Sequence, residues 1–363
     1  MSFIKRKKIT IINYAYSGGG SERVLCNFAN LFSQMGYTVD LIILSNDKKE
    51  VKIDNKVNVI IFGKSRSFFC LPKLFKYFLK NRNNPIISSQ RHINLIVLIA
   101  KLITFNQSDL FLRESTCYNL LIDTEPTLKK FFIKYLTPIL YKKSKKIICP
   151  AEDVRIDFLS SYPNFRDKIE KIYNPIDFNA LNSEASKHAD TNKIIPKKYA
   201  VAVSRLSPEK NIKFLIESFS KIQTKDLKLL ILGEGRERNN IIKQINELGI
   251  QNKVILMGHV KNPHAIVSRA VLSLSTSVVE GLPNAVLESI ALETPILALR
   301  AISGVEELLN NNKCGYTIDT NDSSVFAAKI DEILSSKIKI NLLSQFKLQY
   351  SFKNIGQQFE RLF

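Results

Sequence analysis

The stretch Glu280-Gly-Leu-Pro-Asn-Ala-Val-Leu-Glu288 decides how the rest of the chain is read. It follows Val271-Leu-Ser-Leu-Ser275, an apolar run of small residues that predicts a buried strand, and Pro283 then sets φ for the first turn of a helix. Glu280 therefore belongs to a strand-to-helix loop. Glu288 lies over a turn into the helix, with Asn284 four residues before it on the same face. At the helix start the backbone N–H groups of Asn284 and Ala285 have no intrahelical partner and the macrodipole is positive, which suits a phosphate. Two carboxylates then bracket an anion site, and carboxylates pair well with neighbouring hydroxyls. The arrangement fits a ligand with phosphates in its middle and a polyol at each end, the shape of a nucleotide-sugar.

Upstream lies a series of the same kind. Tyr199 to Val203 predicts a strand, and Ser204-Arg-Leu-Ser-Pro-Glu-Lys210-Asn leads from it into a helix over Ile212 to Ile222. Arg205 and Lys210 then stand at the strand's exit and the helix's start, where two cations would grip a diphosphate. Leu227 to Leu232 is the next strand and ends at Gly233-Glu-Gly-Arg236, a tight loop in which glycine lets the backbone approach a flat base. Val254 to Met257 follows, with Gly258-His-Val260 at its end, and Pro295 to Leu299 is another buried run. A lone histidine beside a strand end reads as structural, so His259 receives no catalytic role.

The first half has its own alternation. Ile9 to Tyr14 predicts a strand, Ala15-Tyr-Ser-Gly-Gly-Gly20-Ser-Glu-Arg a loop, and Val24, Leu25, Phe28, Leu31 and Phe32 the apolar face of a helix that Gly36 closes. This is a phosphate-cradle order, though not the spaced dinucleotide fingerprint. Strand-like runs recur at Thr38–Leu44, Val57–Phe62, Pro85–Ser88, Asp109–Arg113, Lys146–Cys149 and Lys168–Tyr173, separated by helix-length segments. Alternation of this kind predicts parallel sheets wrapped by helices. Asn174-Pro-Ile-Asp177 has turn chemistry, the polar run Asn182 to Lys193 reads as a linker, and Ser344 to Phe363 as an amphipathic helix.

The Glu280–Glu288 segment resembles the E-x7-E signature of the family 4 retaining glycosyltransferases, a large GT-B group, and the resemblance covers most of the chain. Gly19-Gly20-Ser-Glu-Arg23 is similar to the family's N-terminal G-G-x-E-R loop, Asn174 to Asp177 to its N-P-[IV]-D, Arg205 to Asn211 to its R-L-x-x-x-K-[GN], and Gly304 to Glu307 to its G-x-x-E. The resemblance implies two Rossmann-like α/β domains whose parallel sheets face a central cleft. Residues 1–177 would form the acceptor domain and residues 178–343 the nucleotide-sugar domain, with the 344–363 helix crossing back onto the first. It further implies that Glu280 faces the donor sugar, that Glu288 binds the nucleotide ribose, and that Arg205 and Lys210 hold the diphosphate and offset charge on the leaving group. Gly19 and Gly20 would lie over the phosphates, and Gly233, Glu234, Gly235 and Val260 around the base. Gly281, Leu282, Pro283, Asn284 and Ala285 complete the donor site.

No D-x-D occurs, which removes the usual carboxylate cradle for a metal bridging the donor phosphates. Arg205, Lys210 and the helix dipole must then supply the positive field, and neither a metal ion nor another cofactor is expected. Retention of configuration could use a covalent carboxylate or same-face attack guided by the departing phosphate, and the residues leave both open. Many relatives carry a histidine after the strand corresponding to Asp109–Arg113. Here that strand runs into Arg113-Glu-Ser115, so Glu114 is the acceptor-side substitute and His92 a second candidate.

Composition bounds the rest. The chain has 363 residues, comfortable for two cores, with 45% apolar and 24% charged residues as in ordinary globular proteins. Five cysteines without a C-x-x-C suggest neither zinc nor a disulfide framework, and fit a reducing cytoplasm. No signal peptide is visible, and Ile93 to Phe105 is too short to span a bilayer. The net charge of +20 is uneven: residues 1–177 hold 29 Lys+Arg against 15 Asp+Glu, or +14, which leaves +6 for the remainder. In Leu71-Pro-Lys-Leu-Phe-Lys-Tyr-Phe-Leu-Lys80, Lys73, Lys76 and Lys80 share one helical face and Leu71, Leu74, Phe75, Phe78 and Leu79 the other. A second basic, aromatic segment runs from Lys129 to Tyr135 and on to Lys146. Such helices lie at anionic membrane surfaces.

The reading that unites these features is transfer of a hexose or N-acetylhexosamine from a UDP-sugar to a glycan acceptor carried on polyprenyl diphosphate. The enzyme would be cytoplasmic and peripheral on the inner membrane face, serving surface-polysaccharide assembly. A sugar-nucleotide 2-epimerase shares the double-domain architecture but needs no basic acceptor domain. A nucleic-acid-binding protein would explain the charge but not the order of Arg205, Lys210, Glu280 and Glu288 on successive strand-helix units.

Overall fold

The computed structural model describes residues 7–16, 19–46, 51–63, 67–122, 127–189, 191, 193–309, 315–336 and 344–363. The chain divides into two units, residues 1–176 together with 348–363, and residues 177–347.

The first unit is built on strands β1 (Lys8–Asn13), β2 (Thr38–Ile43), β3 (Asn58–Ile61), β4 (Ile86–Ser89), β5 (Leu110–Arg113), β6 (Lys146–Cys149) and β7 (Ile169–Lys171). They pair in the order β3-β2-β1-β4-β5-β6-β7, every pairing parallel. The central strands are apolar on both faces, as helices on either side of a parallel sheet require. Chain order reverses between β1 and β4, so the loops leaving these two strands diverge and open a crevice at their carboxyl ends.

The amphipathic C-terminal segment seals this unit, as two helices rather than one. Ser351 ends the Ser344–Tyr350 helix and caps the Phe352–Glu360 helix by accepting from the Asn354 N–H at 3.2 Å. Phe359 packs edge-on against Phe28 and Phe32, with centroids at 5.1 and 5.8 Å, and Phe363 meets Phe111 at 5.2 Å. Five aromatic rings from distant parts of the chain thus close one core.

The second unit carries β8 (Tyr199–Val203), β9 (Lys228–Leu232), β10 (Val254–Gly258), β11 (Leu272–Ser275), β12 (Ile296–Leu299) and β13 (Tyr316–Ile318). Their order is β10-β9-β8-β11-β12-β13, again parallel, and the reversal falls between β8 and β11. Ala200, Ala202, Leu229, Ile231, Leu272 and Leu274 meet Leu215, Phe219 and Phe326 of the covering helices in one core.

The polar run Asn182 to Lys193 is less of a linker than its composition suggests. Asp177 accepts from the Ala180 N–H at 3.0 Å and starts a helix over Phe178–Ser186, whose Leu181 is buried. Turn chemistry at Asn174–Asp177 therefore doubles as a helix cap. Among the described residues no helix is long and apolar enough to cross a membrane.

Candidate active site

The reversal between β8 and β11 brings two loops together. Lys210 leaves β8 on one, and Glu280 leaves β11 on the other. Lys210 Nζ contacts Glu280 Oε1, and Ser277 Oγ donates to the same oxygen at 2.8 Å. The loops are tied at their backbones as well: Thr276 Oγ1 donates to the carbonyls of Lys210 and Asn211 at 3.0 and 3.2 Å, and the Val278 N–H to Glu209 O at 2.9 Å. Lys210 and Glu280 are 13% and 20% exposed, so the pair is held yet reachable. Ser204, Pro283 and Ala285 line the same crevice.

The helix that follows runs from Asn284 to Ala291, one residue later than Pro283 suggested, with Pro283 in extended conformation at its N-cap. Pro283 has no side-chain acceptor that could cap it, and the helix start follows directly on the Glu280 loop. Leu282 is buried, and Gly281 O accepts from the Gly304 N–H at 2.8 Å, which anchors the signature to the loop after β12.

Arg205 stands apart from this pair. Its side chain is 71% exposed and its guanidinium bonds Glu209 Oε1 at 3.1 Å, while Ser207 Oγ donates to that oxygen at 2.6 Å. The Glu209 carboxyl lies below its usual range: burial works upward, and is outweighed by the bonds from Ser207 and its own backbone N–H and by the charges of Arg205 and Lys210. Of the two expected phosphate cations, the structure brings Lys210 to Glu280 and leaves Arg205 on the rim.

The Gly233-Glu-Gly235 loop is glycine-rich for a different reason from the one its sequence suggested. A Cβ on Gly233, at φ +143°, would collide with the Ser204 carbonyl, and one on Gly235 with the Leu206 carbonyl. The close approach is backbone to backbone: Leu206 N donates to Glu234 O at 2.9 Å and Glu237 N to Leu206 O at 3.0 Å. The glycines thus brace the Arg205 loop. Glu234 is bonded by Arg238 at 3.0 Å, and the Val260 side chain lies in the core with Leu230, Leu232 and Ile266, which leaves only its backbone for a ligand.

Glu288 is gripped from across the unit. His264 Nε2 lies 3.1 Å from Glu288 Oε2, with the two side chains 8% and 17% exposed. Sequence reading missed this histidine because the contact spans 24 positions and follows no helical spacing. Ser277, three residues before Glu280, was nearer to hand: a hydroxyl between strand end and carboxylate is a recognisable signal.

In the first unit, Gly19 and Gly20 sit at the start of the Gly20–Gln34 helix, beside the crevice between β1 and β4. Glu22 from that helix accepts from Gln90 Nε2 at 2.9 Å, and Gln90 carries a left-handed φ of +74°. Ser17 and Gly18 of the expected loop lie outside the described residues.

Glu114 must be reassigned. It is 2% exposed, its Oε2 is bonded by Arg91 Nε at 3.0 Å and its Oε1 by Tyr141 Oη at 2.6 Å. Arg91 is in turn enclosed by the rings of Tyr118, Phe158 and Tyr162, at 4.5 to 5.7 Å. Burial works to lower the Arg91 pKa, and the charge and hydrogen bond of Glu114 together with Tyr141 and Tyr162 more than reverse it. A carboxylate so enclosed has no path to a substrate hydroxyl and serves as a buried counter-ion. His92, the other candidate, packs edge-on to Tyr14 with centroids 6.2 Å apart.

An open parallel α/β sheet with polar side chains at its reversal point defines a class of ligand-binding proteins. Comparison with known proteins narrows it. Residues 18–180 match Glycosyltransferase Family 4 and residues 183–350 match Glycosyl transferases group 1. Together the matches span most of the chain, which belongs to glycosyltransferase family 4.

Among curated relatives, the N-acetylgalactosamine-N,N'-diacetylbacillosaminyl-diphospho-undecaprenol 4-alpha-N-acetylgalactosaminyltransferase of Campylobacter jejuni is 27% identical over 331 residues, 88% of each chain. A second transferase of that organism, which extends a GalNAc-containing diNAcBac-PP-undecaprenol with alpha-1,4-N-acetyl-D-galactosamine, is 24% identical over 91% of this chain and 89% of its own. Anabaena HepE, solved in complex with UDP and glucose, superposes with a TM-score of 0.80 at 17% identity, over 98% of this chain and 99% of that one. The fold is GT-B.

Proposed function

We propose that this glycosyltransferase moves a hexose or N-acetylhexosamine, with retention of configuration, from UDP to a glycan borne on polyprenyl diphosphate in bacterial surface-polysaccharide assembly. The observation that carries the proposal is the Lys210–Glu280 pair at the β8/β11 reversal, beside the start of the Asn284–Ala291 helix. A diphosphate entering there would take Lys210 and the helix N–H groups as its countercharge. Glu280, released from the lysine and still held by Ser277, would accept from a sugar hydroxyl. Glu288, a turn further on, would take the ribose. Arg205 would swing from Glu209 to the outer phosphate, a motion its exposure permits. No divalent ion is needed in this scheme, because the positive field is already built into the protein.

The donor type draws support from the fold shared with HepE, which was solved with UDP and glucose. The acceptor type draws support from the Campylobacter relatives, whose names specify undecaprenol-linked glycans. A membrane-facing role for the first unit fits its surface. In the Leu71–Lys80 helix Leu74 and Phe78 are core, but Phe75 and Leu79 remain 38% and 42% exposed. Phe105 is 81% exposed in the turn after the neighbouring Arg91–Ile103 helix, and Phe131 and Ile139 are 55% and 63% exposed on the Thr127–Leu140 helix that packs against that one. Aromatic side chains in water beside lysines suit the boundary of an anionic bilayer, at the inner face of the cell membrane.

A donor screen in excess chelator tests the proposal. UDP-sugars should raise the thermal midpoint more than GDP- or ADP-sugars, and transfer to a polyprenyl-diphosphate glycan should persist with EDTA present. Stabilisation by another nucleotide series would replace the donor, and activity abolished by EDTA would overturn the metal-free scheme. Equal co-sedimentation with neutral and anionic vesicles would remove the membrane role.

A further inference from the structure

Glu288, assigned above to the ribose, is aimed by a residue outside its own helix. His264 Nε2 is 3.1 Å from its Oε2. An ionised carboxylate only accepts, so the imidazole carries the proton on Nε2 and donates. His264 itself is rigidly mounted. It opens the His264–Val267 turn of helix, in which Ala265 and Ile266 are fully buried. Tyr199 Oη donates to Ile266 O at 2.7 Å and Thr294 Oγ1 to Val267 O at 2.9 Å. The donor is thus fixed to the core beneath β8.

A glutamate on a helix has three rotatable side-chain bonds, and it can hold two vicinal hydroxyls only if its carboxylate plane is set beforehand. The N–H bond from His264 holds that plane, and it takes one of the roughly four acceptor sites that a carboxylate has. We infer that His264 is a positioning residue that orients Glu288 toward the ribose hydroxyl pair, and thereby makes the enzyme select ribonucleotide over deoxyribonucleotide donors. The inference rests on the ribose reading of Glu288 and adds to it the element that confers discrimination.

The test is titration calorimetry of UDP and 2′-deoxy-UDP against wild type, His264→Leu, His264→Gln and Glu288→Ala. Wild type should prefer UDP. His264→Leu should cut that preference by ~10-fold, the worth of one hydrogen bond to a charged group, by weakening UDP while 2′-deoxy-UDP binds as before. His264→Gln, whose amide N–H reaches the same oxygen, should restore most of the preference. A His264→Leu enzyme that keeps the wild-type preference while Glu288→Ala loses it would overturn the positioning role and spare the ribose reading. Equal weakening of both ligands in the Leu and Gln variants would make His264 a packing residue and overturn the inference. Full preference in Glu288→Ala would remove the ribose reading and the inference with it.

Discussion

Two ion pairs at the carboxyl ends of the sheets, one in each unit, contrast in how far they are open to solvent. Arg91–Glu114 in the first unit is 1% and 2% exposed, while Lys210–Glu280 in the second is 13% and 20% exposed. Both join a cation and a carboxylate from loops after different strands, and both carboxylates take a further bond from a hydroxyl, Tyr141 in one case and Ser277 in the other. The first pair is closed over by Tyr118, Phe158 and Tyr162. The second keeps part of both side chains open to solvent. A cation–carboxylate pair is therefore structural where aromatic rings cap it and available for a substrate where it stays open.

Breaking the sealed pair should have the largest effect. Glu114→Gln leaves the Arg91 charge buried without its counter-ion and should destabilise the first unit by ~3–5 kcal/mol, read as a lower urea midpoint. Retained stability with lost turnover would instead return Glu114 to the catalytic role that its sequence position suggested. Lys210→Ala reverses the pattern. It should lower kcat by ~10²–10³ through loss of a preorganised charge on the leaving phosphate, with the thermal midpoint nearly unchanged. A large stability loss with normal turnover would make the open pair as structural as the sealed one.

The smallest effect belongs to the rim. Glu209 holds Arg205 in the unliganded state, and Glu209→Gln should cost ~0.2–1 kcal/mol at neutral pH. Its folded pKa is depressed, so this stabilisation is fully present above the unfolded value of ~4.3 and is lost as pH falls through the folded one. Wild type and variant should converge in acid. A difference that persists there would show that Ser207 and backbone contacts, rather than charge, hold the loop.

The comparison also explains how much could be read in advance. Strand-helix alternation and the small apolar runs before each loop were enough for two parallel sheets, because buried parallel strands are apolar throughout. β13 escaped notice: Tyr316–Ile318 is three residues long, and each is only partly buried. Loop positions such as Lys210 and Glu280 were legible because local spacing places them at strand ends. Their accessibility was not, since the rings that seal Arg91 come from residues 118, 158 and 162. Phe75 and Leu79 illustrate the same limit. Periodicity put them with Leu74 and Phe78, yet only the latter two reach the core.

The most direct test is a crystal structure of the enzyme with UDP, grown in chelator. The account predicts the diphosphate on Lys210 Nζ and the first N–H groups of the Asn284–Ala291 helix, with Glu280 parted from Lys210 and both ribose hydroxyls on Glu288. UDP bound elsewhere, or bound with the Lys210–Glu280 contact intact, would contradict it.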